Sequence, residues 1–203
     1  MTKIAVDAVL LPSETMMDKA IEANRELPEE SGNKIVLNKE NCLPHISLAM
    51  GCIDENDICE IEKILQTIAK QCHLPQLKVV AIQVGTNSVG EKVSSFQIEN
   101  TKVLQLLHEE VMLKLTPYFK YGVTVDMLLS PPKAEPSTLL WIKNYRNKAS
   151  FENFFPHITI GYGQVTTPLS PVKFSASKLA LCHLGNNCTC RKILISAELE
   201  DEE

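Results

Sequence analysis

The sequence contains no long apolar run and no basic excess. Its apolar stretches, such as residues 8–11, are far shorter than the roughly 20 residues that a membrane-spanning helix needs. The first residues include an acid, Asp7, and no long apolar region, so we expect no signal peptide and no association with a membrane. With 203 residues, of which 44% are hydrophobic and 22% charged, the chain has the composition of a soluble globular protein.

The acidic residues are concentrated at one end of the chain. The net charge is −5, and five of the 25 Asp and Glu residues fall within residues 198–203. The rest of the chain has 20 acidic residues against 20 Lys and Arg residues and is therefore neutral. Proteins that bind long duplexes usually carry a basic excess, because neutralised phosphates supply most of their affinity. The sequence thus predicts an acidic tail at 198–203 and a partner that is a small ligand or a nucleic-acid end, not duplex DNA.

The seven cysteines suggest no disulfide framework, because their number is odd and no secretory signal is evident. They predict reduced thiols and a cytoplasmic location. Cys182, His183, Cys188 and Cys190 cluster around the last predicted turn, where four such ligands could hold zinc. The Cys-x-Cys spacing suits a metal less well than Cys-x-x-Cys around a turn, so a hairpin of buried thiols is the preferred interpretation. We expect no metal and no cofactor.

Hydrophobic periodicity predicts strands and helices in alternation. The predicted strands are 3–11, 42–51, 78–84, 92–98, 122–129, 154–163 and a final hairpin of 177–184 and 190–197. Helices are predicted after Ser13, after Asp54 and over 101–115, whereas 138–145 is either helical or extended. This order indicates a mixed α/β (α+β) fold with a coarse internal repeat.

The repeat is most distinct in two tetrapeptides. Residues 44–47 read Pro-His-Ile-Ser and residues 156–159 read Pro-His-Ile-Thr. By this chain's composition, one chance match to such a tetrapeptide is expected on the order of 0.003 times. A single His on a strand is more often structural than catalytic, but this duplication favours catalysis.

The spacing within each tetrapeptide suits phosphoryl chemistry. Residues two apart on a strand point to the same face, so His45 projects with Ser47, and His157 with Thr159. If the two strands lie side by side, two imidazoles and two hydroxyls face one pocket. One imidazole can then remove a proton from a nucleophile while the other protonates the leaving oxygen. The hydroxyls can donate hydrogen bonds to the phosphate oxygens, where charge builds up.

Paired His-x-Ser/Thr motifs, one in each half of a chain of about this length, resemble the two-histidine phosphoesterase superfamily. Its members include 2′,3′-cyclic nucleotide phosphodiesterases and bacterial RNA 2′-5′ ligase-like proteins. The resemblance implies one bilobal α/β domain over residues 1–203, with duplicated strand-helix-strand units and a central cleft that holds both motifs without a metal. It also implies that His45 and His157 are catalytic and that Ser47 and Thr159 bind phosphate.

Three functions are consistent with these motifs. The leading one is a metal-independent hydrolase, a phosphodiesterase that opens 2′,3′-cyclic phosphates or cleaves phosphodiesters on a nucleotide or RNA end. RNA 2′-5′ end joining is the reverse of the same chemistry. A nucleotide- or RNA-binding module without turnover is the third, although binding alone would not need a second imidazole. We expect a monomer, and the sequence leaves open which histidine is the acid.

Basic and aromatic residues alternate before the second motif. Lys143, Arg146 and Lys148 are interleaved with Trp141 and Tyr145, a combination that can bind a phosphate and stack a base. Trp141, Tyr145 and Arg146 are therefore candidate substrate contacts. An amphipathic segment that covers the core with its charges in water is the alternative.

Two further residues are expected to lie outside the site. Strand alternation puts Tyr162, five residues after His157, on the opposite face of its strand. His108 lies in a predicted helix beside Glu109 and is expected to be solvated.

Overall fold

The computed structural model describes residues 2–27, 34–87, 90–129, 133–166 and 171–199, which form one antiparallel sheet and four α-helices. The strands are β1 (Lys3–Pro12), β2 (Ile46–Asp54), β3 (Leu77–Thr86), β4 (Lys92–Ile98), β5 (His157–Tyr162), β6 (Val172–Phe174), β7 (Ala176–Leu184) and β8 (Cys190–Glu198). The helices are α1 (Glu14–Arg25), α2 (Ile58–Gln71), α3 (Lys102–Leu115) and α4 (Pro136–Lys148). The predicted mixed α/β fold is confirmed.

The eight strands follow the order β6-β3-β4-β5-β2-β1-β7-β8, and all neighbours are antiparallel. The sheet consists of two four-stranded halves that meet where β5 lies beside β2. Only one residue pair, Ile46 with Ile158, joins these two strands, whereas every other neighbouring pair forms a ladder of at least three residue pairs. Both isoleucines are completely buried. The junction between the halves therefore lies in the middle of the two histidine motifs.

β1 lies at the centre of one half, between β2 and β7. All of its residues after Lys3 are buried, which agrees with its nearly continuous apolar sequence. Asp7 is the one ionisable residue within this apolar stretch, and its side chain has no solvent exposure. A buried acid on a central strand needs a partner or a proton, so Asp7 marks a polar position inside the core.

The helices pack their apolar faces against the sheet. α2 covers β7 and β8, and Ile61, Leu65 and Ile68 form its buried face at the predicted spacing. Asp54 does not cap this helix directly but caps a preceding 3-10 turn, by accepting a hydrogen bond from the Asn56 N–H. α3 begins at Thr101, whose Oγ1 accepts a hydrogen bond from Leu104 N at 3.2 Å.

His108 on α3 is buried, so the expectation that it is solvated is wrong. Its Nδ1 donates to Leu48 O at 2.7 Å, and its Nε2 accepts from Phe151 N at 2.8 Å. The ring also stacks on Phe154, with 3.9 Å between centroids. Burial lowers the pKa of His108 to about 4, against the opposing effect of the Leu48 hydrogen bond. A neutral imidazole with both nitrogens bonded can lie in the core without an unpaired polar atom.

The predicted strand at 122–129 is also wrong, because the segment forms a 3-10 turn at Val125–Met127. It touches the sheet near β7, where Leu129 N donates to Leu184 O at 2.8 Å and Met127 O accepts from His183 Nε2 at 3.0 Å. Both edges of β7 are already paired, with β1 and β8, so no edge is free for another strand there. The ambiguous segment at 138–145 belongs to α4, which has Pro136 in its first turn.

The first two residues of the predicted acidic tail at 198–203 contact the sheet. Glu198 is the last residue of β8, and Leu199 is buried and donates through its N–H to Ser177 O at 3.1 Å. Residues 200–203 and 130–132 lie outside the described residues. The short strand β6 was not predicted. Among the helices of the described residues, none has the length and apolar character needed to cross a membrane.

Candidate active site

The two motifs lie side by side at the junction between β2 and β5. Because the strands are antiparallel and Ile46 faces Ile158, the register sets His45 opposite Thr159 and Ser47 opposite His157. All four side chains line one cleft of about 480 Å³, whereas the two isoleucines point into the core. The four side chains thus form a square, in which His45 and His157 are diagonally opposite and Ser47 and Thr159 take the other two corners. The structure places the four predicted residues together.

Both imidazoles are held in the same way. His45 Nδ1 donates to Leu43 O at 2.7 Å, and His157 Nδ1 donates to Phe155 O at 2.8 Å. In each case a proline stands between the histidine and its acceptor, and its fixed φ limits how the carbonyl can turn. A neutral imidazole that donates from Nδ1 keeps its lone pair on Nε2. Each motif therefore presents an Nε2 that can accept a proton.

The surroundings of the two rings favour the neutral form. Burial lowers the pKa of His45 to about 4, the hydrogen bond to Leu43 opposes this shift, and charge on His157 lowers the pKa further. The pKa of His157 is also lowered by burial, against its hydrogen bond to Phe155. Because a positive charge on His157 disfavours a positive charge on His45, one proton held between the pair is favoured over two.

The two hydroxyls differ in their surroundings. Ser47 Oγ donates to Asp7 Oδ2 at 2.6 Å, and the same carboxyl oxygen lies 3.9 Å from His45 Nε2. Among the described residues, no partner is within hydrogen-bond reach of the Thr159 hydroxyl. Burial raises the pKa of Asp7 well above its ordinary value, although hydrogen bonds from Ser47 and the Ala49 backbone oppose this. When Asp7 carries its proton it can donate to Ser47, which then has its own hydroxyl proton free for a ligand.

α4 forms one wall of the cleft with a single face. Ser137, Trp141, Asn144 and Lys148 recur at helical spacing and line the cleft, and Trp141 is 41% exposed.

The two other candidate substrate contacts on α4 do not line the cleft. Tyr145 lies one turn after Trp141 on the same side of the helix but is buried, and Arg146 is exposed on another side. The predicted alternation of basic and aromatic residues is thus divided between faces, and of the three named substrate contacts only Trp141 has the position to touch a ligand. Lys143 is likewise exposed outside the cleft.

Tyr162 lines the cleft, which contradicts the expectation that it faces away. Opposite β4, Gly161 pairs with Ser94 and Thr159 pairs with Ser95, so Ile160 is an extra residue in the ladder. This bulge shifts the alternation by one residue and returns Tyr162 to the side of His157. Gly161 has φ +153°, and a Cβ there would lie 2.8 Å from the side chain of Asn24.

The hydroxyl of Tyr162 is fixed in place. It donates to Asn187 Oδ1 at 3.0 Å, and Lys34 Nζ lies 5.1 Å from the centre of the ring. Asn87 and Asn187 complete the polar lining near this ring.

The four residues around the last turn that were weighed as zinc ligands do not form one group among the described residues. Cys182 and Cys190 are buried, whereas His183 Nε2 is bonded to Met127 O at 3.0 Å. All seven cysteines are free thiols. Within the described ranges, the group of His, Cys, Asp and Glu side chains close enough to hold a metal is Asp7, His45 and Cys190.

Solved structures share this architecture. TT0787 of Thermus thermophilus aligns with a TM-score of 0.56 at 14% identity, over 98% of this chain and 100% of that chain. E. coli LigT complexed with 3′-AMP aligns with a TM-score of 0.53 at 13% identity, over 98% and 99% of the two chains. A phosphoesterase aligns with a TM-score of 0.51 at 14% identity, over 97% and 98%. The chain has the two-histidine phosphoesterase fold.

No protein-family model matches the sequence, and no curated protein matches it. At 13–14% identity these alignments establish the two-histidine phosphoesterase fold but not a reaction. Because the alignments cover almost the whole chain, β2 and β5, which carry the two motifs, lie within the shared fold. From the sequence, Tyr162 was placed on the wrong face, and Asp7, which lies behind Ser47, was not singled out. The isolated acid in the apolar sequence of β1 was the available signal for Asp7.

Proposed function

We propose that this protein is a metal-independent phosphodiesterase that opens 2′,3′-cyclic phosphates or cleaves phosphodiesters on a nucleotide or RNA end. The observation that carries the proposal is the pair of imidazoles, each with Nδ1 bonded to a backbone carbonyl and Nε2 free in the same cleft. The fold of phosphoesterases agrees with this chemistry. The binding of 3′-AMP by E. coli LigT supports a nucleotide as ligand.

The reaction needs one imidazole as base and one imidazolium as acid. In hydrolysis a water attacks phosphorus, one Nε2 accepts its proton, and the other Nε2–H protonates the leaving ribose oxygen. The attacking O–P bond forms as the P–O bond to the leaving oxygen breaks, so the pair ends with the proton transferred from one ring to the other. We assign His45 as the base, because its pKa is lowered to about 4 by burial and by the charge of His157. His157 is then the acid.

The hydroxyls hold the phosphate between the imidazoles. Ser47 and Thr159 occupy the two other corners of the square, from which they can donate to the non-bridging oxygens. Donors fixed in advance stabilise the charge that builds up in the transition state without reorganising. Asp7 assists from behind Ser47, since its protonated form directs the Ser47 hydroxyl toward the ligand.

The cleft suits a small substrate. Of the cationic residues that the structure describes, Lys148 lines the cleft, and polar amides and hydroxyls supply most of the remaining polar surface. Each Lys or Arg contact to a phosphate adds about 0.7 to 0.9 to the salt slope of binding, so the slope should be shallow. Trp141 offers an exposed ring on which a base can stack. A mononucleotide or dinucleotide should therefore react about as well as long RNA.

The proposal is tested by incubating the protein with 2′,3′-cyclic nucleotides, dinucleotides and RNA with a cyclic phosphate end, with phosphorus NMR as the readout. We expect conversion of the cyclic phosphate to a monoester, with turnover unchanged by EDTA. Joining of RNA ends without hydrolysis would instead identify a ligase. Binding of the nucleotide without any change in its phosphorus signal would identify a binding module and refute the enzymatic proposal.

A further inference from the structure

A cluster of three potential metal ligands, Asp7, His45 and Cys190, includes the histidine of the first motif. One ligand atom from each of Asp7, His45 and Cys190 lies within 4.8 Å of the other two. Asp7 and Cys190 have no solvent exposure, and the side chain of His45 is 14% exposed. In the phosphodiesterase reaction proposed above, His45 acts directly, Asp7 orients Ser47, and Cys190 has no role. Of the three residues, His45 lines the cleft, so the group extends from the cleft into the core.

The three groups are ligands that transition metals accept. Zinc binds carboxylate, imidazole and thiolate, with ligand atoms in a tetrahedral site roughly 3.3 to 3.6 Å apart. His45 Nε2 and Asp7 Oδ2 are already 3.9 Å apart, so the group can close on an ion through small side-chain movements. A thiol among the ligands favours zinc-class ions over Mg²⁺ and Ca²⁺, which prefer oxygen.

An independent observation also points to a ligand at this place. Asp7 Oδ1 is buried and has no hydrogen-bond partner among the described residues. Buried polar atoms are nearly always paired, and an unpaired buried carboxyl oxygen is costly. A cation bound by both oxygens of the Asp7 carboxyl group would pair Oδ1 as well as Oδ2, which is the oxygen near His45 Nε2.

Hydrogen bonds with neighbouring residues already orient two of the three ligands, His45 and Asp7. His45 donates from Nδ1 to Leu43 O at 2.7 Å, which fixes the tautomer and leaves Nε2 for a metal. Ser47 donates to Asp7 Oδ2 at 2.6 Å and orients the carboxyl group. His45 is the member of the group that lines the cleft, so an ion would reach the group from that side.

We propose that Asp7, His45 and Cys190 bind one zinc-class divalent ion, and that the ion inhibits the enzyme by occupying Nε2 of His45. The ion forms bonds to a carboxyl oxygen, to Nε2 and to sulfur, and the thiol proton of Cys190 and any proton on Asp7 pass to solvent. No oxidation or reduction takes place. The inhibition rests on the proposed phosphodiesterase function, but the binding does not.

The binding is tested with Co²⁺ as the probe on the full, reduced chain. A Co²⁺ ion bound to a thiolate gives a sulfur-to-metal charge-transfer band in the near ultraviolet, and we expect this band to saturate at one ion per chain. Cys190→Ala should abolish the band and lower the affinity for Zn²⁺ by more than the roughly 10- to 100-fold that loss of an outer-shell partner costs. Asp7→Asn, which keeps the shape of the side chain, should lower the affinity but retain the band.

Cys188→Ala is the matched control, because Cys188 is a thiol of the same segment that lines the cleft but lies outside the group. It should bind Co²⁺ and Zn²⁺ as the unchanged protein does. Equal Zn²⁺ affinity in the Cys190→Ala variant, or a Co²⁺ spectrum without the thiolate band, would overturn the site and would suggest an ion held by the two imidazoles alone.

Activity provides the second arm of the test. Cys190→Ala should turn over a cyclic phosphate at the ordinary rate without added metal and should resist Zn²⁺ at concentrations that inhibit the unchanged protein. Activation by Zn²⁺ would refute the inhibitory role. If no phosphodiester is turned over by the unchanged protein but the thiolate band is present, the metal site stands and the proposed phosphodiesterase function fails.

Discussion

The two histidine motifs match in sequence and in the bonding of their imidazoles, but they stand in different surroundings. Behind the first motif lies a buried acid, Asp7, which is bonded to Ser47 and lies 3.9 Å from His45 Nε2. Behind the second motif, within the described residues, Thr159 has no corresponding partner. A duplicated motif can therefore present two matching imidazoles in surroundings that differ. In the reaction proposed above, one imidazole acts as the base and the other as the acid.

The largest expected effect comes from removing either imidazole. His45→Ala and His157→Ala should each lower kcat by roughly 100-fold or more, because each removes a proton-transfer group. The double variant should lose less than the sum of the two effects in free energy, since the pair acts as a unit. Steady-state turnover of a 2′,3′-cyclic nucleotide measures this, with far-ultraviolet circular dichroism as the control for folding. Near-normal turnover by either single variant would contradict the assignment.

Removing each hydroxyl sharpens the comparison. Ser47→Ala and Thr159→Ala should both lower turnover, but only Ser47→Ala leaves a buried carboxyl without its partner, which costs roughly 1 to 3 kcal/mol of stability. Urea unfolding of the two variants measures the difference. Changing both partners, as in Asp7→Leu with Ser47→Ala, should restore much of the lost stability. If Ser47→Ala and Thr159→Ala lower the free energy of unfolding equally, the buried Asp7 carboxyl group does not need its hydrogen bond from Ser47.

His108 provides a third histidine, with both nitrogens bonded, against which the reactive pair can be compared. Its folded pKa of about 4 is below its ordinary value of 6.5, so its stabilising contribution is present above pH 6.5 and is lost as the pH falls toward 4. Between pH 7 and pH 5 the loss should be about 2 kcal/mol. The free energy of unfolding in urea at the two pH values measures this.

His108→Gln should lower stability at pH 7 and flatten this pH dependence, and it should leave kcat nearly unchanged because the ring does not line the cleft. A large fall in kcat in a folded His108→Gln protein would show that His108 acts on the site.

The smallest effect concerns two exposed residues of α4 on different faces. Trp141 lines the cleft and Arg146 does not, so Trp141→Ala should raise KM for a cyclic nucleotide by roughly 10-fold through lost stacking. Arg146→Ala should leave KM within about twofold, since exposed residues away from a site have small effects. Steady-state kinetics on the same substrate compares them. A larger effect at Arg146 than at Trp141 would mean that the substrate lies outside the cleft.

The sequence was sufficient to group two histidines and two hydroxyls in one cleft but not to predict what surrounds them. His45, Ser47, His157 and Thr159 could be grouped because strand periodicity is local and the motif is repeated. Tyr162 was placed on the wrong face because the bulge at Ile160 depends on pairing with β4, which leaves no local signature.

Other errors share this dependence on distant contacts. The strand expected at 122–129 failed because no sheet edge is available to it, and His108 was expected in water because its partners Leu48 and Phe151 are far away in sequence. Asp7 and Cys190 approach each other through the order of β1, β7 and β8 and through the bridge between Leu43 and Cys190. An acid within an otherwise apolar strand was the one local signal for this part of the site.

The single residue pair between β2 and β5 has a consequence for how such a protein can change during evolution. Each four-stranded half has its own long ladders, so substitutions in one half need few compensating substitutions in the other. Ile46 and Ile158 are the residue pair that joins the two histidine motifs across this junction. Sequences can therefore diverge on both sides of the junction while the pairing at its centre is kept. Retention of the whole architecture at 13–14% identity is the outcome that such a division allows.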